Sequence, residues 1–273
     1  MRIRATVAAV SGALALSALA VPAAHAAGTP YTLGVSFSNV KIASTVKVGT
    51  TNEVSATYTY TLTHDASVDI TADDFYTDAY LYRGTLDDPA KTLEGDDFAT
   101  CTVTSSTTAT CEGTVDIYPA DGDLQNADAG SWKLAAEATA FNGQDPNNPD
   151  MGKVGFKDQG DLATTLVQRY SKLTANAGPE PVGKGKTLTT TGKLSRANWE
   201  DHQYHGYANQ PVKLQFRKAG TTTYTTVKTV YSDAYGNLKA TATAQYDGYW
   251  RFSFAGTSTT PAVNATGDYV DVQ

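Results

Sequence analysis

Three groups of side chains in this 273-residue chain have the types and spacing to do chemistry. The first pairs imidazole with carboxylate. His202-Gln203-Tyr204-His205 follows Glu200 and Asp201, and two imidazoles with one acid can hold zinc. The stretch reads as a polar, aromatic loop (Trp199, Tyr204, Tyr207), not as the helix on which an H-E-x-x-H set works. A plain loop, or a contact surface that stacks on sugars or a partner, fits it better. His64, in Thr63-His64-Asp65, stands at the end of a strand pattern. A serine hydrolase would also need a nucleophile elbow, and no G-x-S-x-G occurs.

The second group is acidic. Asp69, Asp73, Asp74 and Asp78 precede Asp87, Asp88, Glu94, Asp96 and Asp97, and Asp116, Asp121, Asp123 and Asp128 follow. Calcium takes six to eight oxygens, which loop carboxylates can supply, so Asp73, Asp74, Asp78, Asp96 and Asp97 are the calcium candidates. Asp121-Gly122-Asp123-Leu124-Gln125-Asn126 does not follow the EF-hand order. A solvated acidic surface that confers solubility fits the same residues. A carboxylate pair for glycoside hydrolysis needs a set separation, and the sequence does not set one.

The third group is the two cysteines, Cys101 and Cys111, in Cys101-Thr102-Val103-Thr104-Ser105-Ser106-Thr107-Thr108-Ala109-Thr110-Cys111. A strand, a Ser/Thr turn and a second strand would set the thiols opposite each other across a hairpin. No C-x-x-C redox motif is present, so a structural disulfide is expected. That expectation agrees with the start of the chain. Arg2 and Arg4 precede an Ala-rich apolar run, Pro22 breaks it, and Ala24-His25-Ala26 has the small-x-small form of a cleavage site. Residues 1–26 are therefore read as a signal peptide, with release to an oxidising exterior and no membrane attachment after cleavage.

These groups must be positioned by strands. The chain holds 41 Thr and 16 Tyr, a composition that favours β structure over a helical bundle. Val54-Ser55-Ala56-Thr57-Tyr58-Thr59-Tyr60-Thr61-Leu62 alternates apolar with hydroxyl residues, as do Val212–Arg217 and Tyr249–Phe254 in their own terms. Turn clusters such as Asp233-Ala234-Tyr235-Gly236-Asn237 separate such runs. Only Gly160–Tyr170 carries a helical pattern, and Thr71–Phe75 could form one turn. Short strands at this spacing predict an all-β chain of two antiparallel sandwiches.

Charge divides the chain. Residues 28–170 carry 21 acids and 8 bases, net −13, and residues 171–273 carry 7 acids and 11 bases, net +4. This predicts an acidic domain over 27–170 and a second over 171–273, joined near Arg169–Lys172. The halves also echo each other. Val48-Gly49 and Val54 match Val182-Gly183 and Leu188 at a shift of 134, and Gly130-Ser131-Trp132-Lys133-Leu134 matches Gly248-Tyr249-Trp250-Arg251-Phe252 at a shift of 118. Each of these tryptophans suits a strand whose indole fills the space between two sheets.

On Val212-Lys213-Leu214-Gln215-Phe216-Arg217, Asp233-Ala234-Tyr235-Gly236-Asn237 and Gly248-Tyr249-Trp250-Arg251-Phe252-Ser253-Phe254-Ala255-Gly256, the C-terminal half resembles a bacterial immunoglobulin-like module. The whole chain resembles two-module proteins secreted by high-GC Gram-positive bacteria. The resemblance implies an immunoglobulin-like fold and a spacer, a binding unit or an appendage of an enzyme. The expected function is a secreted, non-catalytic binding or structural module, a monomer with an extracellular or cell-wall ligand. The alternatives are a calcium-binding secreted protein, or an accessory subunit of an extracellular hydrolase, or that hydrolase itself with a hidden site. With 21 basic and 28 acidic residues, net −7, nucleic acid is not an expected partner. No cofactor other than calcium is expected.

Overall fold

A computed structural model describes residues 28–273, so the expected signal peptide at 1–26 lies outside the described residues. Twenty strands follow one another among them: β1 (Tyr31–Thr32), β2 (Val35–Ile42), β3 (Thr45–Val48), β4 (Val54–His64), β5 (Phe75–Gly84), β6 (Pro89–Leu93), β7 (Thr100–Ser105), β8 (Thr108–Ile117), β9 (Gly130–Ala140), β10 (Gly155–Arg169), β11 (Ser171–Leu173), β12 (Asn176–Gly178), β13 (Thr187–Asn198), β14 (Gln203–Gly206), β15 (Pro211–Lys218), β16 (Thr225–Tyr231), β17 (Asn237–Thr243), β18 (Gly248–Phe254), β19 (Val263–Asn264) and β20 (Asp268–Val270). The only helical elements described are single 3-10 turns at Pro119–Asp121, Asn126–Asp128 and Met151–Lys153. The fold is all-β and built of stacked sheets, as strand spacing predicts.

The chain divides into two compact units, and the division is not a single cut. The first unit takes residues up to Ser44, Ser55–Ile117 and Ser131–Thr165, and the second takes Thr45–Val54, Tyr118–Gly130 and Leu166–Gln273. The expected join near Arg169–Lys172 lies inside the last stretch of the second unit, which starts at Leu166. The second unit also includes two segments from the acidic half. Gly160–Tyr170, which carries a helical pattern, is strand instead and belongs to β10. Leu162, Leu166 and Val167 imitate helical spacing, but Leu166–Arg169 pair in parallel with Thr45–Val48, and that distant pairing decides the outcome.

In the first unit, one sheet runs in the order β1-β10-β9-β5-β6 and the other β2-β4-β8-β7. Alternation along β4 sends Ala56, Tyr58, Tyr60 and Leu62 inward, toward a core that includes Trp132 and Leu134 of β9. Pairing in this unit is antiparallel except where β1 runs parallel to β10; the other parallel pair of strands, β3 with the end of β10, belongs to the second unit. In the second unit, β13 pairs with β11, β12, β14 and β17, and the facing sheet runs β16-β15-β18 with β19 and β20 on β18. Its core is built on Leu188, Leu194, Val212, Leu214, Leu238, Trp250, Phe252 and Phe254.

Candidate binding cleft

The cysteines behave as their spacing predicts. Cys101 and Cys111 are direct cross-strand partners on β7 and β8 and form a disulfide, with Cα atoms 4.0 Å apart. Closing so small a loop stabilises by up to about 3 kcal/mol in the chain-entropy model.

The acidic residues are put to several local uses. Asp69, Asp123, Asp128, Asp145 and Asp150 each accept a backbone N–H within a turn, the role short carboxylates play where a chain reverses. Among the calcium candidates, Asp74 accepts the N–H of Gly143 at 2.5 Å, Asp73 and Asp97 are exposed, and the N–H of Asp96 donates to Asp116. Asp78, expected on a loop, lies within β5. Among the described residues no three His, Cys, Asp or Glu side chains form a set that could hold a metal.

Asp78 instead belongs to a buried polar group. It accepts the Tyr58 hydroxyl and the N–H of Ala79. Gly113 makes room for this, because a Cβ there would collide with the Tyr58 hydroxyl. Directly across the β5–β9 ladder stands Glu137. Burial pushes the Asp78 carboxyl up to about 7 against the stabilising Tyr58 bond, and burial together with the nearby Asp78 charge pushes Glu137 up to about 7. With one oxygen held by both a hydroxyl and a backbone N–H, Asp78 is a satisfied structural acid.

The imidazole stretch is more ordered than a loop. Residues Thr187–Asn198 and Gln203–Gly206 form a hairpin, β13 to β14, with a tight turn between them. Trp199, expected to be exposed, is only 1% exposed. Its Nε1–H donates to the carbonyl of Gly49 at 2.9 Å, and its backbone N–H donates to the Asn126 side chain. Asn126 also donates to Asn198 at 2.6 Å, and His202 Nε2 lies 3.1 Å from the carbonyl of Pro119. Segments 45–54 and 118–130 thus close over this turn within the second unit. His205 pairs with Asp201 at 2.6 Å, and His64 Nδ1 contacts the carbonyl of Asp65. The three imidazoles therefore have separate local partners.

Among the described residues, the one large buried side chain with an unmet need is elsewhere in the second unit. Trp250, on β18 and 3% exposed, has a buried Nε1–H without a partner. A buried donor in that state costs about 1–3 kcal/mol. Trp250 lines a cleft of about 610 Å³, together with Phe216, Val227, Lys228, Thr241, Thr243 and Tyr246 among others. Phe216 packs 4.7 Å from the Trp250 ring, while Val227 and Tyr246 are 43% and 54% exposed. The cleft arises from topology. Along one side of the sandwich, Val182 bridges to Val272 and the N–H of Ala177 donates to Asp268, which ties the sheets together. Along the cleft, β16 pairs only with β15 and β17 only with β13 among the described residues. Two edge strands therefore face one opening. A second depression, of about 670 Å³, meets the far ends of the same strands at Tyr231 and Asn237–Lys239.

Sequence reasoning placed Trp250 in a core but missed the cleft. The signal lies in register. Leu214, fully buried, is opposite Lys228, so Lys228 shares the register face of the core while its side chain stands exposed at the cleft. A bulge at Val227 shifts the alternation and hides this in the linear sequence.

No family model matches the chain, and no curated protein matches it. Among solved structures it is similar to the adhesin InvE of Yersinia pseudotuberculosis, at 14% identity over 85% of this chain and 58% of that one, with a TM-score of 0.26. It is similar to the D0-D1 domain of intimin at 14% identity, over 86% of this chain and 98% of that one, TM-score 0.27. For an amphioxus IgVJ-C2 molecule the figures are 12%, 83% and 99%, with a TM-score of 0.27. The chain spans little more than half the length of the InvE structure.

Proposed function

We propose that this protein is a secreted, non-catalytic binding module whose second sandwich carries the binding site, in the cleft between β16 and β17. The observation that carries this reading is the orphaned indole N–H of Trp250 beside an opening lined by exposed aromatic and aliphatic side chains. Pockets of 300–1,000 Å³ with apolar walls and a few polar groups are the usual form of a binding site. Secretion rests on the charge, apolar run and Ala24-His25-Ala26 pattern of residues 1–26. No described helix is long and apolar enough to cross a membrane.

The test compares the mature chain with Tyr246→Ala and Val227→Ser variants, each immobilised and exposed to culture supernatant and cell-wall extract. Both substitutions are at exposed positions and should leave the melting temperature unchanged. Material retained by the parent and lost from both variants supports the cleft. Equal retention by all three would place binding elsewhere or remove it.

A further inference from the structure

Resting on that reading, we infer that the cleft takes an extended, acidic segment of a partner polypeptide, which adds as a strand to the β16 edge. Two independent features define this occupant. The first is backbone chemistry. β16 runs for seven residues, Thr225–Tyr231, and among the described residues it pairs on one side only, so its other side presents backbone N–H and C=O groups to solvent. An extended chain satisfies such a row of groups, and its alternate side chains would reach into the cleft beside it.

The second feature is charge. Lys228 is opposite the buried Leu214, at a register position that alternation assigns to the interior, and it lines the cleft. No carboxylate lines the cleft with it. A second ammonium, Lys218 Nζ, sits 4.4 Å from the centre of the Tyr246 ring on the rim. A lysine at the core-face register of an edge strand, exposed at the cleft, keeps chance strands from pairing there, because a neutral or basic newcomer leaves the ammonium uncompensated. The same lysine admits a strand that brings a carboxylate. The bulge at Val227 adds local twist and further narrows which backbones fit. Lys228 thus excludes chance strands and selects an acidic one, while the aromatic floor of Phe216 and Trp250 accepts an apolar side chain from it.

Three pools of synthetic octapeptides test this on the full mature chain. The first alternates Asp or Glu with Val, Thr or Tyr. The second replaces the acids by Lys or Arg. The third is the acidic pool with alternate backbone nitrogens methylated. The acidic pool is expected to bind at least tenfold more tightly than either of the others, and less tightly as salt rises. In 15N-labelled protein, binding should move the Trp250 indole signal (assigned with Trp250→Phe) and slow amide exchange along Thr225–Tyr231. Lys228→Glu should transfer the preference to the basic pool. Equal binding of the methylated pool would reduce the effect to charge attraction and overturn strand addition. An unmoved Trp250 signal, or an unchanged preference in Lys228→Glu, would remove the cleft as the site. Self-association that Lys228→Glu abolishes, without any peptide binding, would make a second copy the occupant and overturn the partner proposed here. Failure of every pool would end the peptide inference. If Tyr246→Ala still lost its extracellular ligand in that case, the binding-module reading would stand.

Discussion

The second unit contains two buried tryptophans in opposite circumstances. Trp199 sits at a hairpin turn amid polar neighbours, yet its indole N–H is bonded to Gly49 and two segments from far along the chain cover it. Trp250 sits in mid-strand in the hydrophobic core, where an indole is expected, yet its N–H has no partner and the sheet edges beside it stand open. Burial is thus no guide to whether a site is finished. Around Trp199 the donors and acceptors of three segments match. Around Trp250 one donor is left over, next to a cleft that something else can fill.

The largest expected effect breaks the closed site. A fragment of Ser171–Gln273 lacks residues 45–54 and 118–130, so Trp199 loses its cover and the turn loses five hydrogen bonds. At about 1 kcal/mol per bond and 2–3 kcal/mol for the exposed indole, the fragment should lose roughly 7 kcal/mol relative to the same unit in the full chain. Denaturant unfolding would measure it. A fragment as stable as the full chain would show the two segments to be dispensable.

Next in size is Trp199→Ala in the full chain, expected to cost about 3–5 kcal/mol, well above the usual cost of a loop substitution.

An effect of about 3 kcal/mol separates the units. Burial pushes Asp78 and Glu137 up to about 7 in the folded first unit, above the ordinary carboxylate values of 3.8 and 4.5. The folded state therefore binds the extra protons between about pH 4 and pH 7. Their contribution is present in full at pH 4 and below and is lost as pH rises through 7. Melts should show the first unit less stable at pH 8 than at pH 5 by roughly 3 kcal/mol, with neither Trp199 nor Trp250 fluorescence responding over that range. Glu137→Gln should flatten the slope, and an unchanged slope would assign the dependence to other groups.

The sharpest contrast is smaller. Trp199→Phe strands the Gly49 carbonyl and should cost about 1–3 kcal/mol, whereas Trp250→Phe removes a donor that had no partner and should cost under about 1 kcal/mol. Equal costs would mean that water or another group serves Trp250 in solution. Smallest of all, Lys228→Glu should change stability by less than about 0.5 kcal/mol, leaving any change in binding free of folding effects.

Much of the fold was legible because its signals are local. Period-two alternation marks β4, β15 and β18, and nine residues of hydroxyl-rich chain between two cysteines mark the disulfide hairpin. What was hidden depends on partners distant in sequence. β10 reads as helix until Thr45–Val48 is placed beside it. Trp199 reads as exposed until Gly49, 150 residues away, supplies an acceptor. The Asp-rich turns resemble a metal site because one side-chain type serves both uses, and only atomic partners distinguish a turn cap from a ligand. The cleft was least legible, since it needs both the edge positions of β16 and β17 and the bulge that sets Lys228 on the cleft face.

The composition of the second unit from three separate stretches has a consequence for survival under proteolysis. Most two-domain chains come apart at one cut, because a protease that severs the linker frees each domain to drift away. Here a cut near residue 170 would leave segments 45–54 and 118–130 still held by Trp199, Asn198 and His202. Such a nicked chain should run as two bands in denaturing gels and as one particle in native ones.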